Sequence, residues 1–361
     1  MKKIVYIGRF NGIVGGIERY MMQSGKLLRR HGFQVDYLYT QAGGKDQQHF
    51  SAAFDSAAIF SPHSPLLPEA DMVIIHNIIA PEYLQFLPEK RTFFFAHDHN
   101  IYCQRHHYYW PVGRINCHRK RNRFFCQLCS LGRNPAPPLA EYRKLPAIVL
   151  SEFMRENLLK NGFTQVVKMP PFIRIEAHDH TFMPDGVLRI LFLGQLIRGK
   201  GADLLLNALA KVPIPFSCTI AGDGNDRKML ENMVEKLCLH EKIRFTGFVS
   251  DPEILWQDCD VFCFPIRWQE PFGLVGLEAM AHGIPAAAFD SGGVREWLDD
   301  RITGALLPEK DIPALTALLT RWAQEPQELA RMGKNGTARA EKLFSEENFV
   351  DSFSVLMEEI K

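Results

Sequence analysis

VFCFPIRWQEPFGLVGLEAMAHGIPAAAF, residues 261–289, reads as a strand, a loop, a helix and a second strand. The apolar run Val261–Pro265 is too short for a buried helix, and Pro285–Phe289 repeats it. Between them Arg267, Trp268, Gln269 and Glu270 form a polar loop, and Pro271 precedes a helix that starts near Phe272. Amides of Phe272, Gly273 and Leu274 are then the unpaired donors of a first helical turn, suited to phosphate oxygens. Glu270 lies in the loop and Glu278, eight positions on, lies within the helix. Two carboxylates beside helix amides suit a ligand with both phosphates and hydroxyls. A surface role for Glu278 is disfavoured by its setting, LVGLEAMA, where an unpaired carboxylate is costly.

The same alternation extends outward in both directions. Apolar runs at Ile4–Gly8, Val35–Tyr39, Met72–His76, Thr92–Ala96 and Ala147–Leu150 are followed by Leu188–Gly194, Cys218–Gly222 and Ile243–Val249. Segments with three- and four-residue apolar spacing separate them. Strict alternation implies parallel sheets with helices on both faces, and 361 residues suit two such domains. The expected fold is α/β, two Rossmann-like domains facing across a cleft. Residues 1–170 form the first, 171–187 a proline-rich linker, 188–342 the second, and 343–361 an amphipathic helix. Ligands of open parallel sheets bind at the carboxyl ends of strands.

Composition narrows the class. Net charge is +1, 46% of residues are hydrophobic and 23% charged, as in ordinary globular proteins. That balance gives no global attraction to nucleic acid or to an anionic membrane. No run of eighteen apolar residues occurs, and MKKIVYIGRF reads as a first strand rather than a signal peptide. A cytoplasmic protein is expected.

Three further motifs follow strands. In IGRFNGIVGGIERY, Gly15 and Gly16 open a helix and let a ligand approach its N-terminus; a tight turn is the alternative. In FFFAHDHN, His97 stands at a strand's carboxyl end, where an imidazole can position a sugar hydroxyl or take its proton. In LFLGQLIRGKG, Gln195, Arg198 and Lys200 occupy a loop before a helix, and the two cations suit a pyrophosphate. A solvated basic turn is the alternative there.

Together these residues resemble the retaining glycosyltransferases of the family 4 (group 1) type, with the GT-B fold. The resemblance rests on Glu270…Glu278 in EPFGLVGLEAMAHGIP, on GGIER, HD, SEFMRENLLKNGF, Gly194–Gly201 and AGDGNDR, and it covers nearly the whole chain. It implies that Glu270 contacts the donor sugar and Glu278 the ribose. Lys200 and amides near Gly273 and Leu274 hold the diphosphate, with Gly15, Gly16, Gln195, Arg198, Gly222, Val249 and Phe272 completing the donor site. His97 lies at the sugar, and the last helix returns to the first domain. The family usually has arginine where this chain has Gln195, and Arg198 is the substitute charge. His97, Glu270 and Lys200 are the expected catalytic residues, with a UDP- or GDP-sugar as donor and no obligatory catalytic metal. The acceptor is a glycan or lipid-linked glycan of a surface polysaccharide. A sugar phosphorylase or nucleotide-sugar epimerase shares the architecture and is the alternative; a binding protein on an inactive scaffold is a third.

Residues 99–135 form an unusual insert. Cys103, Cys117, Cys126 and Cys129 offer four thiols, which read by ligand type as a structural zinc site, with His118 as another ligand and free thiols as the alternative. Cys218, Cys238, Cys259 and Cys263 read as small buried hydrophobes. The insert has no acid between His99 and Ala140, and Arg105, Arg114, Arg119, Lys120, Arg121, Arg123 and Arg133 interleave with aromatic residues. Such a segment suits an anionic membrane surface. Nucleic acid is the other reading, which leaves Glu270 and Glu278 unexplained.

Overall fold

The computed structural model describes the chain except residues 111–114, 132–136, 176–179, 184, 250 and 360–361. It divides into two compact units. Residues 1–113, 117–170 and 346–361 form the first, and residues 114–116 and 171–345 the second.

The first unit is built on a seven-stranded sheet. Its order is Ser56–Ile59, Gln34–Gln41, Lys3–Phe10, Met72–Ile75, Thr92–Phe95, Ala147–Val149 and Val166–Lys168. Every pairing is parallel, with Ile4 beside Val35 and Met72. The central strands are continuous β-branched and aromatic runs because helices cover both faces. The helix Gly16–Arg30 buries Tyr20, Met21, Ser24, Leu27 and Leu28, a stripe at three- and four-residue spacing. The last helix, Glu346–Glu359, belongs to this unit. It buries Phe349, Phe353 and Leu356, sets Phe353 edge-on to Phe33 and pairs Glu346 with Arg30 at 2.9 Å.

The second unit has a six-stranded parallel sheet. Its order is Ile243–Gly247, Phe216–Ala221, Leu188–Leu193, Val261–Phe264, Ala286–Phe289 and Gly304–Leu307. In both sheets the chain starts near the middle, builds outward to one edge and then crosses to the other side. That reversal opens a crevice at the carboxyl ends of the central strands. Arg189 and Met183 amides donate to the fully buried Asp260 at 2.8 and 2.9 Å, fixing the entry to this sheet.

Two details depart from the sequence reading. The helix after Glu270 begins at Leu274, because Gly273 takes a left-handed conformation with φ +97° and serves as its N-cap. Cys238 is exposed rather than buried. It follows the helix Arg227–Lys236 in a left-handed turn, φ +54°, which swings its side chain off the packed face. Cys218, Cys259 and Cys263 are buried.

Candidate active site

In the second unit, Lys200 and Glu270 meet. Lys200 Nζ lies 2.9 Å from Glu270 Oε2, and both side chains are mostly buried. The ammonium also stands 5.7 Å from the ring centroids of Phe264 and Trp268. Lys200 closes a single 3-10 turn, Arg198–Lys200, after which Gly201 in a left-handed conformation caps the helix Ala202–Leu209. The turn cannot shift freely. Arg267 donates its backbone amide to Gly199 O and its Nη1 to Arg198 O, at 2.8 and 2.9 Å. The same guanidinium grips the buried carboxylate of Asp203 with both arms, Nη2 reaching Oδ2 at 2.5 Å. Planar bidentate pairing of this kind fixes orientation as well as charge. Trp268 lies flat against Gly199, where a Cβ would come within 1.8 Å of the indole.

Glu270 is held by its main chain. Gly293 N donates to Glu270 O at 2.7 Å, and Gly292 bridges Glu270 in parallel fashion. Gly292 has φ +65°, and a Cβ there would lie 2.3 Å from Glu270 O. Only glycine allows that approach. Trp297 donates Nε1 to Phe272 O at 2.8 Å and fills the space beside Gly276, which sets the start of the helix Leu274–Ala281. Glu278 lies one turn into this helix and is half-buried. Phe272 is buried, while Leu274 is half-buried. Gln195 is exposed. Arg198 is 63% exposed and pairs with Asp203 at 3.2 Å, so its charge is partly committed inside the loop. Gly222, φ +135°, has a fold role: a Cβ would strike Gly194 O at 1.9 Å. Val249 is half-buried in the loop after the strand Ile243–Gly247.

In the first unit, His97 follows the strand Thr92–Phe95. Its Nε2 lies 2.9 Å from His76 Nδ1. The ring stacks on Phe95 at 4.2 Å, and Tyr20 stands edge-on at 5.2 Å. Burial holds the His97 imidazolium down to about 3, and burial followed by His97 itself holds His76 well below the usual range. Burial raises Asp98 to about 6, against opposing hydrogen bonds from Asn100. His97 is therefore a neutral hydrogen-bonding ring near pH 7. Gly15 caps the helix Gly16–Arg30, its amide donating to Glu18 Oε2 at 2.9 Å. A Cβ on Gly16 would meet open space, so no internal packing demands glycine there.

Sequence reasoning missed His76, Asp203, Arg267, Trp268 and Trp297. The signal for Arg267 and Trp268 was present, since both lie in the polar loop after a strand. Nothing in the sequence linked Asp203 to Arg267.

The four cysteines of the insert are not joined in disulfides among the described residues. Among the described residues no group of three or more His, Cys, Asp or Glu is arranged to hold a metal ion. The thiols are nonetheless neighbours. Burial raises Cys103, amides of Arg105 and Tyr108 donate to its sulfur, and the charges of Cys117 and Cys126 reach it. Burial also raises Cys129, which Arg105 opposes and which feels the same two thiols. Arg105 Nη1 ties the segment to Cys129 O at 3.1 Å.

Residues 174–339 match the family model described as glycosyl transferases group 1. The lipopolysaccharide core biosynthesis mannosyltransferase LpsB of Rhizobium meliloti is 27% identical over 53% of this chain and 57% of that protein. The D-inositol 3-phosphate glycosyltransferase of Mycolicibacterium smegmatis is 23% identical over 97% of this chain and 88% of that protein. Several other curated relatives are matched over 30% to 49% of their length, so the chain spans about half or less of those. The crystal structure of Anabaena Alr3699/HepE with UDP and glucose superposes with a TM-score of 0.76 at 17% identity, over 99% of this chain and 100% of that one. The fold is that of the GT-B glycosyltransferases.

Proposed function

Because residues 174–339 belong to the group 1 glycosyl transferases, we propose that this chain moves a sugar from a nucleoside diphosphate donor to an acceptor hydroxyl, with retention at the anomeric carbon. The observation that carries the reading is the Lys200–Glu270 pair, 2.9 Å apart, four residues ahead of the helix start at Leu274. A departing diphosphate needs cations and free amides where its charge develops, and these are such groups. Lys200 neutralises the diphosphate, with Arg198 beside it. Amides at Gly273 and Leu274 take phosphate oxygens. Glu278 accepts hydrogen bonds from ribose hydroxyls. Glu270 orients the donor sugar, and His97, as a neutral ring, hydrogen-bonds a sugar hydroxyl. In the step itself the bond from anomeric carbon to diphosphate oxygen breaks and the acceptor oxygen bonds to the same face. The acceptor proton passes to the leaving phosphate oxygen. No protein nucleophile is required.

The donor is a UDP- or GDP-sugar, and the acceptor a glycan or lipid-linked glycan of a surface polysaccharide. The names of the LpsB relative and of the lipopolysaccharide galactosyltransferase WaaB, a structural neighbour, support that class. Such acceptors place the enzyme at the cytoplasmic face of an anionic membrane. Zinc on Cys103, Cys117, Cys126 and Cys129 is part of the proposal by ligand type, supported by the reach of the Cys117 and Cys126 charges to Cys103 and Cys129. It requires the thiols to close up, since the described residues hold no group already arranged for a metal. Metal analysis tests it: about one equivalent is expected, whereas negligible zinc and an unchanged melting point under chelator reject it. The enzymatic reading is tested by donor turnover. Transfer from a UDP- or GDP-sugar to a lipid-linked glycan, lost in Glu270→Ala, supports it. Phosphorolysis by free phosphate or epimerisation of the donor alone would replace it.

A further inference from the structure

The helix Arg123–Cys129 buries none of its residues. Asn122 caps it, accepting from Phe125 N at 3.1 Å, so it is a formed element rather than a frayed one. Phe124, Phe125, Leu128 and Leu131 are exposed by 73, 52, 63 and 66%. Phe124 and Leu128, four positions apart, share one helical face, and the exposed Leu131 follows in the left-handed turn after the helix, φ +54°. Cys126 and Cys129, on the other side, are half-buried. The other exposed large apolar side chains are dispersed along the chain. A contiguous apolar ridge of this kind marks an interaction site.

Its surroundings are basic. Residues 99–140 hold seven of the chain's 42 lysines and arginines and none of its 41 acids, which leaves the remainder at −6. Arg119, Lys120 and Arg123 are exposed beside the ridge, and the Arg119 guanidinium lies 5.7 Å over Phe125 and 5.6 Å over Trp110. Arg114 and Arg133 fall outside the described residues.

We propose that the ridge Phe124, Phe125, Leu128 and Leu131, with Arg119, Lys120 and Arg123, docks the first unit on an anionic lipid bilayer. The apolar side chains enter the headgroup boundary while the bases meet lipid phosphates. Three bases together contribute on the order of a hundred-fold in affinity. Two leucines on the ridge serve neither base stacking nor phosphate contact, which disfavours nucleic acid. A second copy would bring like charge against like charge. The docking face deepens the proposed function, since it rests on a lipid-linked acceptor for its purpose but not for its physics.

Sedimentation of the full chain with vesicles tests it, using phosphatidylcholine alone and with one part in about three of phosphatidylglycerol. Wild-type protein is expected to bind the anionic vesicles at least about ten-fold better, with the gain lost at high salt. Phe124→Ser/Phe125→Ser/Leu128→Ser and Arg119→Glu/Lys120→Glu/Arg123→Glu should each lose about ten-fold or more, with melting and acceptor-free donor hydrolysis unchanged. Equal binding to both vesicles, variants that bind like wild type, tighter binding to polyuridylate, or a dimer that the serine variant dissociates would each overturn it. Vesicle binding without sugar transfer would leave the docking face standing and remove the enzyme. Transfer to a soluble acceptor without vesicle binding would do the reverse.

Discussion

Lys200 Nζ and Glu270 Oε2 stand 2.9 Å apart although seventy positions of sequence separate them. The pair holds the ammonium beside Trp268 and Phe264, and in the proposed function a diphosphate joins it there as a second anionic partner. The two residues should therefore fail differently. Lys200→Ala removes charge at the leaving group, and kcat/KM should fall by about 10²–10³-fold, with nucleoside diphosphate affinity falling too. Glu270→Ala should lower kcat while leaving nucleoside diphosphate affinity within about three-fold, because the proposed function assigns Glu270 to the sugar. Steady-state kinetics and calorimetric titration separate the two.

The Arg267–Asp203 pair is nearly buried and bidentate. Removing Asp203 strands the Arg267 charge away from water, and removing Arg267 leaves the buried Asp203 only the exposed Arg198 as cation. Asp203→Asn or Arg267→Met should destabilise the protein by about 3–5 kcal/mol in denaturant titration. Because Arg267 also holds the backbone of Arg198 and Gly199, donor KM should rise more in Arg267→Met than in a surface control such as Arg244→Met.

Gly199→Ala drives a methyl group into Trp268. Overpacking of this kind costs about 1–3 kcal/mol, and the displaced turn carries Lys200 with it. Both melting point and donor affinity should drop. Gly16→Ala meets open space, so stability should stay within about 0.5 kcal/mol of wild type. If Gly16 faces a ligand, turnover falls even so.

Stability should weaken in acid through the histidine pair. His76 and His97 are held below their unfolded values, so the unfolded chain takes up protons that the folded one refuses. Their contribution is full above about 6.5 and is lost progressively as pH falls below it, for His97 toward about 3. Asp98 acts in the opposite sense between about 6 and 3.8, since its folded value is raised, and cancels one ring's share there. Denaturant titrations of wild type and His97→Phe across pH 4–7 check this, and the variant should show the shallower dependence.

The alternation of short apolar runs with helical spacing was enough to give two parallel sheets, because buried strands are apolar without interruption. The short strands Ser56–Ile59, Val166–Lys168 and Gly304–Leu307 escaped, since they are sheet edges of only three or four residues. Around the candidate site, polar residues in the loops that follow strands, His97, Lys200 and Glu270, could be singled out from sequence. Those acting through long-range contacts were not, because the approach of Asp203 to Arg267, or of Trp297 to Gly276, exists only once the sheet has formed. Cys238 was misjudged because composition around it reports the helix, whereas its exposure is set by the left-handed turn that ends it.

Calorimetric titration of wild type and Lys200→Ala with UDP and with GDP is the most direct test of an activated sugar held by its phosphates in the second unit. One of the two nucleotides should bind wild type, and the variant should bind it at least about ten-fold more weakly. Equal affinity in the two proteins, or no binding of either nucleotide to wild type, would contradict the account.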